Sequence, residues 1–95
     1  MSETAYYILL SLVEPRYGYG IMQHVLELTG GRLTLGPGTL YGSLSRMEKD
    51  GLIRLAAADD KRKTYRITDE GKTILLREAS RITELYLNAK EALEQ

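Results

Sequence analysis

At 95 residues, with 43% hydrophobic and 27% charged side chains, the chain has room for one compact domain and little more. It has no Cys, which excludes a disulfide framework and thiolate metal sites alike. The net charge of zero hides an uneven distribution. Residues 32–66 carry eight basic against four acidic side chains, whereas residues 1–31 carry one against three and residues 67–95 four against six. A basic middle between acidic flanks is a local electrostatic footprint suited to a polyanion.

In chain order, Thr4–Val13 reads as a first helix capped by Ser2 or Thr4, with Ala5, Ile8, Leu9 and Leu12 in one apolar stripe. Tyr6, Leu10 and Val13 carry apolar character further round than one buried face needs. Two packing partners are therefore expected, one inside the domain and one outside it, with Ile8 assigned to the second. Glu14-Pro15 ends the helix, because proline disfavours helical geometry in the residue before it. The apolar run Ala5–Val13 lacks a basic leader and a cleavage site, and it is too short to span a bilayer. No membrane association and a cytoplasmic location are expected.

Gly18–Leu28 is a second helix with Ile21, Val25 and Leu28 inward, stopped by Gly30-Gly31. A short extended stretch, Arg32–Leu35, read as a short strand, leads to Gly36-Pro37-Gly38-Thr39, where Pro37 suits the first turn of a third helix. Leu40, Leu44 and Met47 face the core, and Gly51 ends this helix. Leu52–Ala56 and Thr64–Ile67 read as short strands around a hairpin tip at Ala57–Lys63. Thr68-Asp69-Glu70 then caps a long final helix, with acidic residues at its positive end. The fold class is mainly α with a small β part (α+β). Residues 1–68 form a winged helix-turn-helix domain for DNA, and residues 69–95 a long C-terminal dimerisation helix.

The third helix carries Gly38, Thr39, Gly42, Ser45, Arg46 and Lys49 on the face opposite its apolar stripe, with Tyr41 and Ser43 on the flanks. Small residues let a DNA backbone approach closely, hydroxyls bond phosphates or bases, and Arg46 has the fork that reads guanine edges. Lys61, Arg62 and Lys63 at the hairpin tip suit backbone neutralisation. Two plainer readings stand beside these. The small residues would equally serve tight packing, and the whole would equally make a winged-helix module that binds another protein without specific DNA recognition. An enzyme is not expected. The single His24 lies inside an amphipathic helix with no Cys and no carboxylate constellation around it, so its role is structural. No catalytic residue, metal or cofactor is assigned.

In the last helix, Leu75, Ala79, Ile82, Tyr86, Ala89 and Leu93 are spaced +4, +3, +4, +3, +4, a heptad seam. A helix from Asp69 to Glu94 is about 39 Å long at 1.5 Å per residue, more than a domain this size covers. Such a seam packs either on the chain's own first helix or on a second copy, and the surplus apolar face of the first helix favours a homodimer interface.

Four ordered motifs carry a family resemblance: Tyr17-Gly18-Tyr19-Gly20-Ile21, Gly38-Thr39-Leu40-Tyr41-Gly42-Ser43-Leu44-Ser45-Arg46-Met47-Glu48, Gly51-Leu52-Ile53 and Tyr65-Arg66-Ile67-Thr68-Asp69-Glu70-Gly71. Over roughly residues 4–75 the chain resembles the PadR transcriptional regulators. The resemblance implies a dimeric, sequence-specific repressor on a double-stranded DNA operator, released by a small aromatic or hydrophobic effector. It also implies backbone contacts by Tyr19, Thr39 and Tyr41, with the wing gripping DNA. Many members have proline where this chain has Gly42. Multidrug-sensing members stack flat ligands on a tryptophan of the C-terminal helix, and this chain has no Trp.

Overall fold

The computed structural model describes residues 1–95. Helix α1 spans Glu3–Ser11 and begins where the Ser2 side chain accepts a hydrogen bond from the Ala5 N–H. It stops at Ser11, before Pro15, and the Leu12 carbonyl accepts from the Ile67 N–H at 2.7 Å. A two-residue strand β1 (Arg16–Tyr17) leads into α2 (Gly18–Leu28). Gly30 and Gly31 break α2 with φ of 59° and 83°, backbone that a Cβ disfavours. Helix α3 (Pro37–Lys49) carries Pro37 at its first position, as its lack of an N–H allows. Strands β2 (Ile53–Ala58) and β3 (Lys63–Ile67) form the hairpin, and α4 runs over Asp69–Leu93.

The sheet is antiparallel in the order β1-β3-β2. Arg16 and Tyr17 pair with Tyr65 and Thr64, so the strand before α2 is stitched to the wing. A bulge between Leu55 and Ala57 shifts the register within the hairpin. Together these elements make a winged helix-turn-helix followed by a long helix. One chemical device joins its halves: Thr68 Oγ1 accepts from the Gly71 N–H at the start of α4 and donates to the Gly51 carbonyl beyond α3.

The core gathers Ile8 and Leu9 of α1 with Leu12 just beyond it, Ile21 and Val25 of α2, and Leu40, Leu44 and Met47 of α3, closed by Ile53, Ile67, Leu35 and Leu75. Burying each such side chain favours folding by about 1.5–3 kcal/mol over leaving it exposed. Polar contacts close the α1–α2 seam. Buried Ser11 donates its one hydroxyl proton to the Tyr7 carbonyl, which leaves its oxygen to accept from His24 Nδ1, 2.9 Å away. Arg16 Nε donates to the Ser11 carbonyl at 2.8 Å. Burial, and then the Arg16 charge, hold the His24 imidazole below its ordinary pKa.

Four sequence expectations are corrected here. Arg32–Leu35 is not a strand; the third strand is Arg16–Tyr17, too short to leave a periodic signal. Leu28 points outward, 47% exposed, because α2 ends beside the glycine turn. Ile8 is 0% exposed and Leu75 only 8%, both within the chain's own core, so neither is free to meet a partner subunit. Along α4, Gly71 and Leu75 are buried in the domain, while residues 80–95 are exposed throughout. The seam expected for a partner thus starts inside the domain.

Candidate nucleic-acid interface

Helix α3 is fixed from below by Leu40, Leu44 and Met47, which leaves its other face open. Gly38, Thr39, Tyr41, Gly42, Ser45, Arg46 and Lys49 are exposed there, and Ser43 is half-buried on the flank. A Cβ added at Gly38 or Gly42 would meet nothing within 4 Å. These glycines are therefore not required by the chain's own packing, which removes the tight-packing reading of the small residues. What they provide is a helix surface stripped to its backbone. No side chain caps the start of α3, so the first-turn N–H groups remain available to an anion.

The wing leans toward this face. Its tip is tied by Asp59, whose carboxylate accepts from the Lys61 and Arg62 N–H groups at 2.9 and 2.8 Å. Those bonds hold the Asp59 carboxyl below the usual carboxylate range. Lys61, Arg62 and Lys63 are exposed. Arg62 also lies over the Tyr17 ring, 4.4 Å from its centroid, and Tyr17 stacks with Tyr19 at 6.3 Å. On the other side, the Tyr41 hydroxyl occupies the space over Gly18, where an added Cβ would come within 2.5 Å of it. A cleft of about 470 Å³ results, bounded by Tyr17 and Gly18, by Tyr41, Leu44 and Ser45 of α3, by Asp59–Lys63 of the wing, and by Tyr65. Burial pushes the Tyr65 hydroxyl's pKa up, with the Glu48 charge adding to it.

The sequence-predicted residues therefore divide. Tyr41 and the three wing cations converge on the cleft, with Tyr19 linked to it through Tyr17. Ser43 and Arg46 instead line a small hollow of about 180 Å³ on the other flank of α3, with Met1, Ala5, Met47, Asp50 and Leu52. Gly38, Thr39, Gly42 and Lys49 line neither cleft. Sequence reasoning missed Tyr17 and Gly18 as parts of the site, and missed that Asp59, within the expected hairpin tip, closes the turn, although an Asp at that place favours a side-chain-closed turn. Tyr17 had no such signal, since its contact with Arg62 spans 45 residues of sequence.

Among dimer candidates, Ile82, Tyr86, Ala89 and Leu93 are exposed, and Ala79 is half-buried. Ile82 is 42% and Tyr86 59% exposed. No three His, Cys, Asp or Glu side chains converge where they could hold a metal ion. No helix is long and apolar enough to cross a membrane.

Residues 8–77 match the transcriptional regulator PadR-like family. A solved PadR-like transcription factor from Bacteroides fragilis is similar over 93% of this chain and 87% of its own, at 30% identity and a TM-score of 0.78. An uncharacterized protein X from Lysinibacillus sphaericus is 35% identical over 89 residues, which are 90% of this chain and 78% of that one. An uncharacterized 37.1 kDa protein in transposon TN4556 of Streptomyces fradiae is 35% identical over 71 residues, which are 75% of this chain. The chain spans only 20% of that relative's length.

Proposed function

This chain belongs to the PadR-like family of transcriptional regulators, and we propose that it works as a homodimeric repressor clasping a two-fold operator. DNA binding and transcriptional regulation come with the family, which is one of regulators rather than enzymes. In the proposed complex α3 enters the major groove, with Thr39 and the first-turn N–H groups on a phosphate and Arg46 on a base edge. Gly38 and Gly42 let the backbone come close, while Ser43 and Lys49 bond the flanking strand. Lys61 and Lys63 neutralise phosphates beside the groove, and Tyr19 and Tyr41 position the domain against the backbone. Residues 1–68 would supply this surface and residues 69–95 the dimer, through Ala79, Ile82, Tyr86, Ala89 and Leu93. Release by a small aromatic or hydrophobic effector, and action in the cytoplasm, are supported by kinship alone.

One observation carries the reading: the cationic wing and the Tyr41–Ser45 flank of α3, a helix whose Gly38 and Gly42 stand open, border one cleft. Its test is a fluorescence titration of a selected duplex and a random duplex at two salt concentrations. Lys61→Ala with Lys63→Ala is expected to weaken both complexes and to reduce the salt slope by roughly 0.9 for each phosphate no longer neutralised. Binding that ignores salt would instead favour a protein-binding winged helix.

A further inference from the structure

The wing of this protein has little of its own to hold it. Residues 54–63 are exposed throughout, and β2 buries only Ile53 at its base. A hairpin so free of apolar contact would sample many orientations. Beyond the pairing of β1 with Thr64 and Tyr65 at its base, two contacts restrict its tip. Asp59 closes the tip through the Lys61 and Arg62 N–H groups, and the Asp59 N–H donates to the Arg62 carbonyl at 3.0 Å. That turn sends the Arg62 side chain back across the cleft to the Tyr17 ring, at 4.4 Å. Tyr17 is itself anchored, since its backbone pairs with Thr64 in β3 and its ring stacks with Tyr19.

We propose that Tyr17 is a positioning residue for DNA binding: its ring holds the Arg62 guanidinium, and through it the wing tip, over the cleft beside α3. This rests on the DNA-binding reading and gives Arg62 a different part from its neighbours. Lys61 and Lys63, exposed on the same cleft, make no aromatic contact and act as charges, whereas Arg62 works first as a strut. A planar guanidinium stacks on an aromatic face and keeps its edge N–H groups free for a phosphate, which lysine's compact ammonium does not match. When the wing is held, each half of the complex forms without first ordering the hairpin, so apparent affinity rises with the held fraction.

The test compares Tyr17→Leu, Tyr17→Phe and Arg62→Lys by NMR without DNA and by titration with DNA. In the free wild-type protein the Arg62 δ-protons should be shifted upfield by the Tyr17 ring. Tyr17→Leu should abolish that signature, and both Tyr17→Leu and Arg62→Lys should loosen the amides of residues 58–63 and weaken duplex binding by roughly two- to fivefold per wing. The salt slope should stay unchanged, because neither variant alters charge. Tyr17→Phe keeps the ring face and should restore the shift and the affinity. Arg62→Lys, at an exposed tip, guards against a folding artefact at Tyr17. An unshifted Arg62 in the wild type, or full affinity in both loosened variants, would overturn the proposal. So would a Tyr17→Phe loss as large as that of Tyr17→Leu, which would mean that the hydroxyl itself touches DNA. A wild-type protein that binds no duplex would sink the DNA-binding reading instead, and the ring shift still reads the contact without DNA.

Discussion

Up to Ala79, α4 belongs to the folded unit; from Ser80 onward the same helix, with the same spacing of apolar residues, stands bare. In the first part α4 packs on α1 and β3, Leu75 is 8% exposed, and Gly71 lies so close to the Leu52 carbonyl that a Cβ would come within 2.1 Å of it. In the second part Ile82, Leu85, Tyr86 and Leu87 are 42–59% exposed, and Leu93 is 85% exposed. A heptad states that a stripe is apolar, not whose surface it meets. Contact with the chain's own core is decided by local chemistry, the Thr68 cap and the absence of a side chain at residue 71.

Substitutions should therefore behave differently on the two sides of Ala79. Gly71→Ala forces α4 off the Leu52 backbone, and Leu75→Ala leaves a cavity costing about 2–5 kcal/mol. For a domain of this size each kcal/mol of destabilisation lowers Tm by roughly 4–8 °C. Calorimetry should find these losses at every protein concentration. Ile82→Ala should show a loss that shrinks as the protein is diluted, because it weakens association rather than the single chain. A concentration-independent loss at Ile82 would erase the distinction between the halves.

The division recurs within α3, where Leu44 is buried and Arg46, two residues on, is exposed on another face. Leu44→Ala should destabilise the fold by an amount similar to Leu75→Ala. Arg46→Ala should leave Tm nearly unchanged and cost roughly 1–3 kcal/mol of discrimination between operator and random duplex. Equal losses on both duplexes would make Arg46 a phosphate contact, and none would remove it from the interface.

The smallest effect is a pH dependence confined to the closed side. His24 has its pKa lowered by burial and by Arg16, so the unfolded chain takes up this proton before the folded one does. Stability should fall as pH drops below about 6.5, the ordinary imidazole value, and level off below the folded pKa. His24→Gln should flatten that profile in thermal melts, with the dimer dissociation constant unmoved. A dimer constant that followed His24 would tie the two regions together.

Much of this architecture was legible because it rests on short-range chemistry. Pro37 starts α3, Gly30-Gly31 break α2, Thr68 caps α4, and the stripe Leu40, Leu44, Met47 faces the core as its spacing requires. The hairpin was found with its strands displaced by a residue or two, since alanines at 56–58 carry little strand preference of their own. What escaped depends on distant pairing. Strand β1 exists only because Arg16 and Tyr17 meet Tyr65 and Thr64, and the Arg62–Tyr17 contact follows from that register. The burial of Ile8 and Leu75 was hidden for the same reason, as a spacing pattern cannot tell an intramolecular neighbour from a second copy.

The central claim is that two chains joined by the bare half of α4 bind DNA as one unit. Sedimentation of a labelled, selected duplex with wild-type protein and with Ile82→Glu tests it most directly. The charge would be buried against a partner with no counter-ion, at a cost of several kcal/mol. Two recognition helices about 34 Å apart are needed to read successive major grooves on one face of the duplex. The expected result is two wild-type chains per site in a tight complex, and a folded monomeric variant left with weak, salt-dependent half-site binding. An Ile82→Glu protein that stays dimeric and binds the duplex as tightly as wild type would contradict it.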